Sequence, residues 1–200
     1  MRKTMAERKP NCADFGFVFA GDWWLLLAGP EAIMAIILIT GGTRSGKSRR
    51  AEARACAFPQ RPVYVATAEA LDREMAERIE MHRARRGNGW IEREVTIDLV
   101  PTLIETDGGG ARLVDCLTLW LSNLLHAKRD WSREVARLAD ALPRQRSPVV
   151  MVTNEVGLGI VPDNALARAY RDAAGHMNQA IAGVADEVEF VVAGLPLKLK

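Results

Sequence analysis

The sequence predicts an α/β fold in which a mostly parallel sheet is flanked by helices on both faces. Three observations predict it. Residues 36 to 48 read IILITGGTRSGKS, a β-branched run leading into glycine, four residues, then Gly46, Lys47 and Ser48. From Met34 onward, short apolar runs of strand length alternate with longer stretches of helical composition, the order that parallel βαβ units require. The 200 residues are 48% hydrophobic, enough for one full core and too few for two.

The elements follow in order. Ile36 to Thr40 is the first strand candidate and Ser48 to Cys56 (SRRAEARAC) the first helix, so the glycine-rich turn lies between strand and helix. Pro62 to Ala66 is a second short strand. Asp72 to Arg86 (DREMAERIEMHRARR) is rich in helix formers and spaces Glu74 and Arg78 to pair on one face. Trp90 to Thr96 alternates like a strand or extended segment, Ile97 to Thr106 reads as a helix, and Asp107-Gly108-Gly109-Gly110 breaks it. Ala111 to Asp115 is a third strand, Leu117 to Ala127 and Trp131 to Leu142 are helices, and Val149 to Val152 is a fourth strand. Asp163 to Val184 is a long helix and Val188 to Val192 the final strand. No repeat or interdomain linker interrupts residues 34–200, which are expected to form a single domain.

Residues 1–33 stand apart. Arg2, Lys3, Arg8 and Lys9 precede the apolar stretch Phe15 to Ala28, but Asp22 interrupts that run, and its continuous apolar part is too short to span a bilayer. They are expected to be an extension outside the fold, with Met34 an alternative start immediately before the first strand.

Composition removes some function classes. Twenty-seven basic against 25 acidic side chains give a net charge of +2, too weak to argue for nucleic acid or an anionic membrane surface. Cys12, Cys56 and Cys116 form no CxxC pair and no Cys/His cluster, so neither a disulfide framework nor a zinc site is expected. A reducing, cytoplasmic setting fits that usage.

The turn carries the strongest chemical signal. In Gly41-Gly42-Thr43-Arg44-Ser45-Gly46-Lys47-Ser48 the glycines let successive amides point inward at a β-phosphate, and the following helix adds its positive end. Lys47 meets the β/γ oxygens as a point charge and Ser48 is placed to hold Mg²⁺. The fold is therefore of the P-loop NTPase kind, with a nucleoside triphosphate as ligand. Asp115, at the end of an apolar strand, fits either a carboxylate that reaches the metal or the N-cap of the helix near Leu117. On a helix, Arg78, His82 and Arg86 share a face, which favours a neutral imidazole able to attack phosphorus; a solvated histidine on a basic helix is the plainer reading. Thr153 to Pro162 (TNEVGLGIVP) follows a buried strand, where open α/β sheets bind ligands. It reads equally as an ordinary strand-to-helix connection.

Several longer motifs occur together: GGTRSGKS, VATA at 65 to 68, DREMAERIEMHRARR, VDCLTLWLSNLL at 114 to 125, VTNEVGLGIVP at 152 to 162, RAYRDAAGHMNQ at 168 to 179, and the ending VVAGLPLKLK. In that order they resemble the bifunctional adenosylcobinamide kinase and adenosylcobinamide-phosphate guanylyltransferase family of cobalamin biosynthesis, from about Met34 to Lys200. The resemblance implies phosphorylation of adenosylcobinamide with ATP or GTP, then transfer of GMP from GTP to adenosylcobinamide phosphate, with release of pyrophosphate. It implies a histidine that carries GMP, which the motif places at His82. It also implies nucleotide contacts at the phosphate loop, Ala66, Thr67, Ala68, Arg83, Ala84, Arg85, Arg86, Glu94 and Asp115, and a homotrimer. Some members carry a second histidine where this chain has Met81. Two other readings remain: a plain small-molecule kinase with no covalent intermediate, and a nucleotide-dependent switch. Against the switch, the chain lacks the guanine-reading Asn-Lys-x-Asp stretch.

Overall fold

The computed structural model describes residues 34–70 and 72–200; the extension expected over 1–33 lies outside the described residues. Within them the chain runs β1 (Ile36–Gly41), α1 (Lys47–Cys56), β2 (Val63–Ala66), α2 (Arg73–Arg86), β3 (Ile91–Glu94), α3 (Leu99–Glu105) and β4 (Arg112–Asp115). It continues through α4 (Leu117–His126), α5 (Trp131–Ala141), β5 (Val149–Val152), α6 (Ala165–Val184), β6 (Glu187–Val192) and β7 (Leu195–Lys198).

One seven-stranded sheet holds them, in the order β3-β2-β4-β5-β1-β6-β7. All neighbouring pairs are parallel except the last, where β7 runs antiparallel to β6. The near-central strand β1 is buried at every position, which is why IILITG reads as a continuous apolar run rather than an alternating one. Parallel strands need helical crossovers, and these cover both faces. Ile36, Leu38, Val63, Val65, Val114 and Met151 pack under α3, α4, α5 and α6. Ile37, Ile39, Leu113, Val150 and Val152 pack on the opposite face against Ala51 and Ala55 of α1. Two glutamates of β6 fasten α1 there. Arg50 donates to Glu189 at 2.7 and 2.8 Å, and Arg54 reaches both Glu187 and Glu189.

Local sequence sets the helix starts. Asp72 accepts from the Met75 amide at 2.7 Å, Asp130 from Arg133 at 3.2 Å and Asn164 from Ala167 at 2.7 Å, each filling an amide that the first turn leaves unpaired. Helix α1, like α3 and α4, has no such cap. It starts at Gly46, whose φ is 96°, with no side-chain cap, so its first amides remain available to a ligand.

Two expectations need correction. Val188 to Val192 is not the final strand: Leu195–Lys198 adds β7, pairing Val192 with Leu195 and Glu189 with Lys198. The long helix begins at Ala165, two residues after Asp163, because Asn164 is its cap. Cys116 is a buried free thiol. Among the described residues no helix is long and apolar enough to cross a membrane.

Candidate active site

The phosphate loop leaves β1 at Gly41, where space is the constraint: a Cβ there would lie 2.5 Å from the Val191 carbonyl oxygen and 2.8 Å from Ser45 Oγ. Only glycine fits. Ser45 donates its amide to the Gly42 carbonyl at 3.3 Å, closing the turn, and Lys47 Nζ donates to the same carbonyl at 3.1 Å. Thr43 and Arg44 are exposed on the outer rim, while Ser48 is half-buried in the first turn of α1. Burial lowers the Lys47 pKa, and the nearby Cys116 and Asp115 act in the opposite sense. The loop is braced from two sides. Gly194, in the turn between β6 and β7, donates to the Ser45 carbonyl at 2.8 Å, and Glu155 donates its amide to the Gly41 carbonyl at 3.2 Å. The Ser45 hydroxyl is buried with no hydrogen-bond partner among the described residues.

Beside the loop stand the ends of β2 and β4. Register places Glu94, Ala66, Asp115, Val152 and Ile39 in one row across five strands. Asp115 is not the cap of α4; that position belongs to Cys116, which makes no side-chain cap bond. The Asp115 carboxylate instead accepts from the Tyr64 hydroxyl at 2.5 Å. Thr67 closes the end of β2 onto Cys116 by donating to its carbonyl at 2.8 Å and accepting from its amide at 2.7 Å, with half-buried Ala68 following.

Helix α2 carries the histidine. His82 is half-buried, and Ala84 and Met81 are exposed; the side chains of Arg78 and Arg85 lie outside the described ones. Arg83 anchors the helix to β3, donating to Glu92 at 3.2 Å and Glu94 at 3.1 Å. Arg86 turns inward: it is 6% exposed, bonds Glu92 at 2.9 Å and lies 3.4 Å from the Tyr64 ring centroid. Because Glu94 and Asp115 flank Ala66 on adjacent strands, Arg83 is tied to a backbone position two strand spacings, about 10 Å, from Asp115.

The segment after β5 divides in two. Its polar start is fixed: Thr153 donates to Asn178 at 2.7 Å, Asn178 donates to the Asn154 carbonyl at 3.2 Å, and Asn154 donates to the Thr118 hydroxyl at 2.7 Å. Its apolar continuation is bare, with Leu158 77% and Ile160 97% exposed. Arg168 holds the far end by donating to the Pro162 and Asp163 carbonyls.

The donors near the loop suit a hard cation. Among the described residues no group of three His, Cys, Asp or Glu could hold a metal unaided. A lone hydroxyl, Ser48, and a carboxylate, Asp115, are oxygen donors of the kind that Mg²⁺ takes from a protein when phosphates and water complete its shell.

Sequence reasoning missed Tyr64, Thr118 and Asn178. Each acts across the fold, on a partner 51, 36 or 25 residues away. The one local hint was Tyr64 itself, a hydroxyl in an otherwise apolar strand two residues before Ala66.

Comparison with known proteins identifies relatives of the chain. Residues 37–199 match the family model described as cobinamide kinase / cobinamide phosphate guanyltransferase. A Pseudomonas aeruginosa protein, the bifunctional adenosylcobalamin biosynthesis protein CobP, is 47% identical over 168 residues, covering 82% of this chain and 96% of that one. Bifunctional adenosylcobalamin biosynthesis proteins CobU of Salmonella typhimurium and Escherichia coli are each 42% identical, over 188 and 184 residues, with 82% of this chain and 99% of theirs covered.

Proposed function

The chain belongs to the cobinamide kinase / cobinamide phosphate guanyltransferase family, and from that premise we propose that one phosphate loop serves two transfers. The protein is a bifunctional transferase. In the first, the aminopropanol hydroxyl of adenosylcobinamide attacks the γ-phosphorus of ATP or GTP, forming a phosphate ester as the nucleoside diphosphate leaves. In the second, a ring nitrogen of His82 attacks the α-phosphorus of GTP; an N–P bond forms and the P–O bond to pyrophosphate breaks. An oxygen of adenosylcobinamide phosphate then attacks that phosphorus, the N–P bond breaks, and adenosylcobinamide-GDP leaves a free imidazole. Splitting one displacement in two makes geometry, more than proton transfer, the requirement.

The observation that carries this reading is the shared row of Glu94, Ala66 and Asp115. Through Arg83 it ties the histidine helix to a strand two spacings from the carboxylate whose charge Lys47 feels. Lys47 and the loop amides neutralise the leaving phosphates. Mg²⁺ on Ser48 and Asp115, when bound, adds charge neutralisation at the phosphates. Leu158, Ile160 and Val161 offer an apolar bed for the corrinoid at the strand ends. The active form is a homotrimer.

The test is incubation with α-³²P-labelled GTP. Label that survives denaturation, is lost in acid and is kept in base supports the phosphoramidate, and His82→Ala abolishes it while leaving kinase turnover. Retention of the label in His82→Ala refutes the assignment.

A further inference from the structure

Tyr64 is one of the most constrained side chains in the molecule, yet nothing in the two transfers requires it. It is 4% exposed. Arg86 lies 3.4 Å from its ring centroid on one face, and Trp90 meets it edge-on with centroids 5.9 Å apart and planes at 88°. Such contacts resist rotation of the ring and fix the direction of its O–H. That hydroxyl donates to Asp115 Oδ2 at 2.5 Å.

We infer that Tyr64 is a positioning residue for Asp115: its clamped hydroxyl occupies Oδ2 and so presents Oδ1 in a fixed direction to a divalent cation at the phosphate loop. A carboxylate at a strand end otherwise turns freely about its last bond, and a ligand held by an outer partner binds more tightly than one that must be ordered first. The clamp has a second consequence. Arg86 closes α2 and bonds Glu92 of β3, so the helix bearing His82 and the cation-binding carboxylate share one rigid connection through the Tyr64 ring.

This inference rests on the assignment of Asp115 to the cation, and the experiment separates the two. Mn²⁺ binding is measured by electron paramagnetic resonance on full-length protein saturated with GDP, for the wild type, Tyr64→Phe and Asp115→Asn. Phenylalanine keeps the ring, the Arg86 stack and the Trp90 contact while deleting only the donor. Tyr64→Phe is expected to weaken Mn²⁺ binding about tenfold, with GDP affinity in the absence of metal unchanged within about twofold. Tyr64→4-aminophenylalanine, which restores a donor, should recover most of the loss, an outcome that a purely structural role does not produce. Normal Mn²⁺ binding in Tyr64→Phe alongside a defect in Asp115→Asn overturns the positioning role alone. Normal binding in Asp115→Asn removes the cation assignment and this inference with it.

Discussion

Lys47 Nζ donates to the Gly42 carbonyl at 3.1 Å, so the cation at the end of the phosphate loop folds back across the loop that supplies it. Burying an ammonium with one carbonyl partner costs stability, and burial is the largest influence on its pKa and lowers it. Lys47→Met is expected to slow both the kinase and the guanylyl transfers by at least ~100-fold. The melting temperature should not fall. Steady-state rates and a calorimetric melt check the two halves together.

Gly41 admits no side chain. A Cβ would stand 2.5 Å from the Val191 carbonyl, so Gly41→Ala forces β1 from β6 at the point where the loop begins. The expected cost is about 1–3 kcal/mol in chemical denaturation, together with loss of measurable GTP binding in a titration. Gly42→Ala, where a Cβ meets nothing within 4 Å, should retain stability.

Acid stability should depend on Glu189. Burial alone pushes this carboxyl up, but hydrogen bonds and charge from Arg50 and then Arg54 outweigh it and bring the pKa below the ordinary 4.5. The folded pKa is thus depressed, so the stabilisation is fully present above the unfolded value and is lost as pH falls through the folded one. Glu189→Gln should cost on the order of 3 kcal/mol at neutral pH by removing the buried charge that faces Arg50 and Arg54. It should also flatten the decline of stability below about pH 4.5. Urea melts across pH read both effects.

Ile160 is 97% exposed and Leu158 77%, the apolar surface proposed above for the corrinoid. The double change Leu158→Ser, Ile160→Ser should raise KM for adenosylcobinamide at least ~10-fold, since each removes apolar burial worth roughly 1–2 kcal/mol. GMP label on the protein should be unaffected. Label falling together with corrinoid binding would contradict the separate location.

The fold was legible because its signals are local. The strand, glycine turn and helix at 36–56 share one stretch of sequence, and Asp72, Asp130 and Asn164 cap helices within three residues of themselves. What stayed hidden was long-range. LPLKLK, with a proline and two lysines, reads as a tail, and it becomes β7 only because β6 offers an edge. Its turn then braces Ser45 through Gly194. Arg86 reads as a phosphate-facing cation on a basic helix, and its inward turn depends on the face of Tyr64, 22 positions earlier. Asp115 is likewise engaged by a hydroxyl from another strand, while Cys116 takes the cap position of α4.

The central claim, that His82 carries GMP, is tested most directly by mass spectrometry of the protein after brief exposure to GTP and Mg²⁺, with proteolysis under alkaline conditions to keep an N–P bond intact. The account predicts one GMP adduct on the peptide containing Arg78 to Arg86, localised to His82 by fragmentation and missing from His82→Ala. An adduct on another residue, or guanylyl transfer at the full rate with none formed, would contradict it.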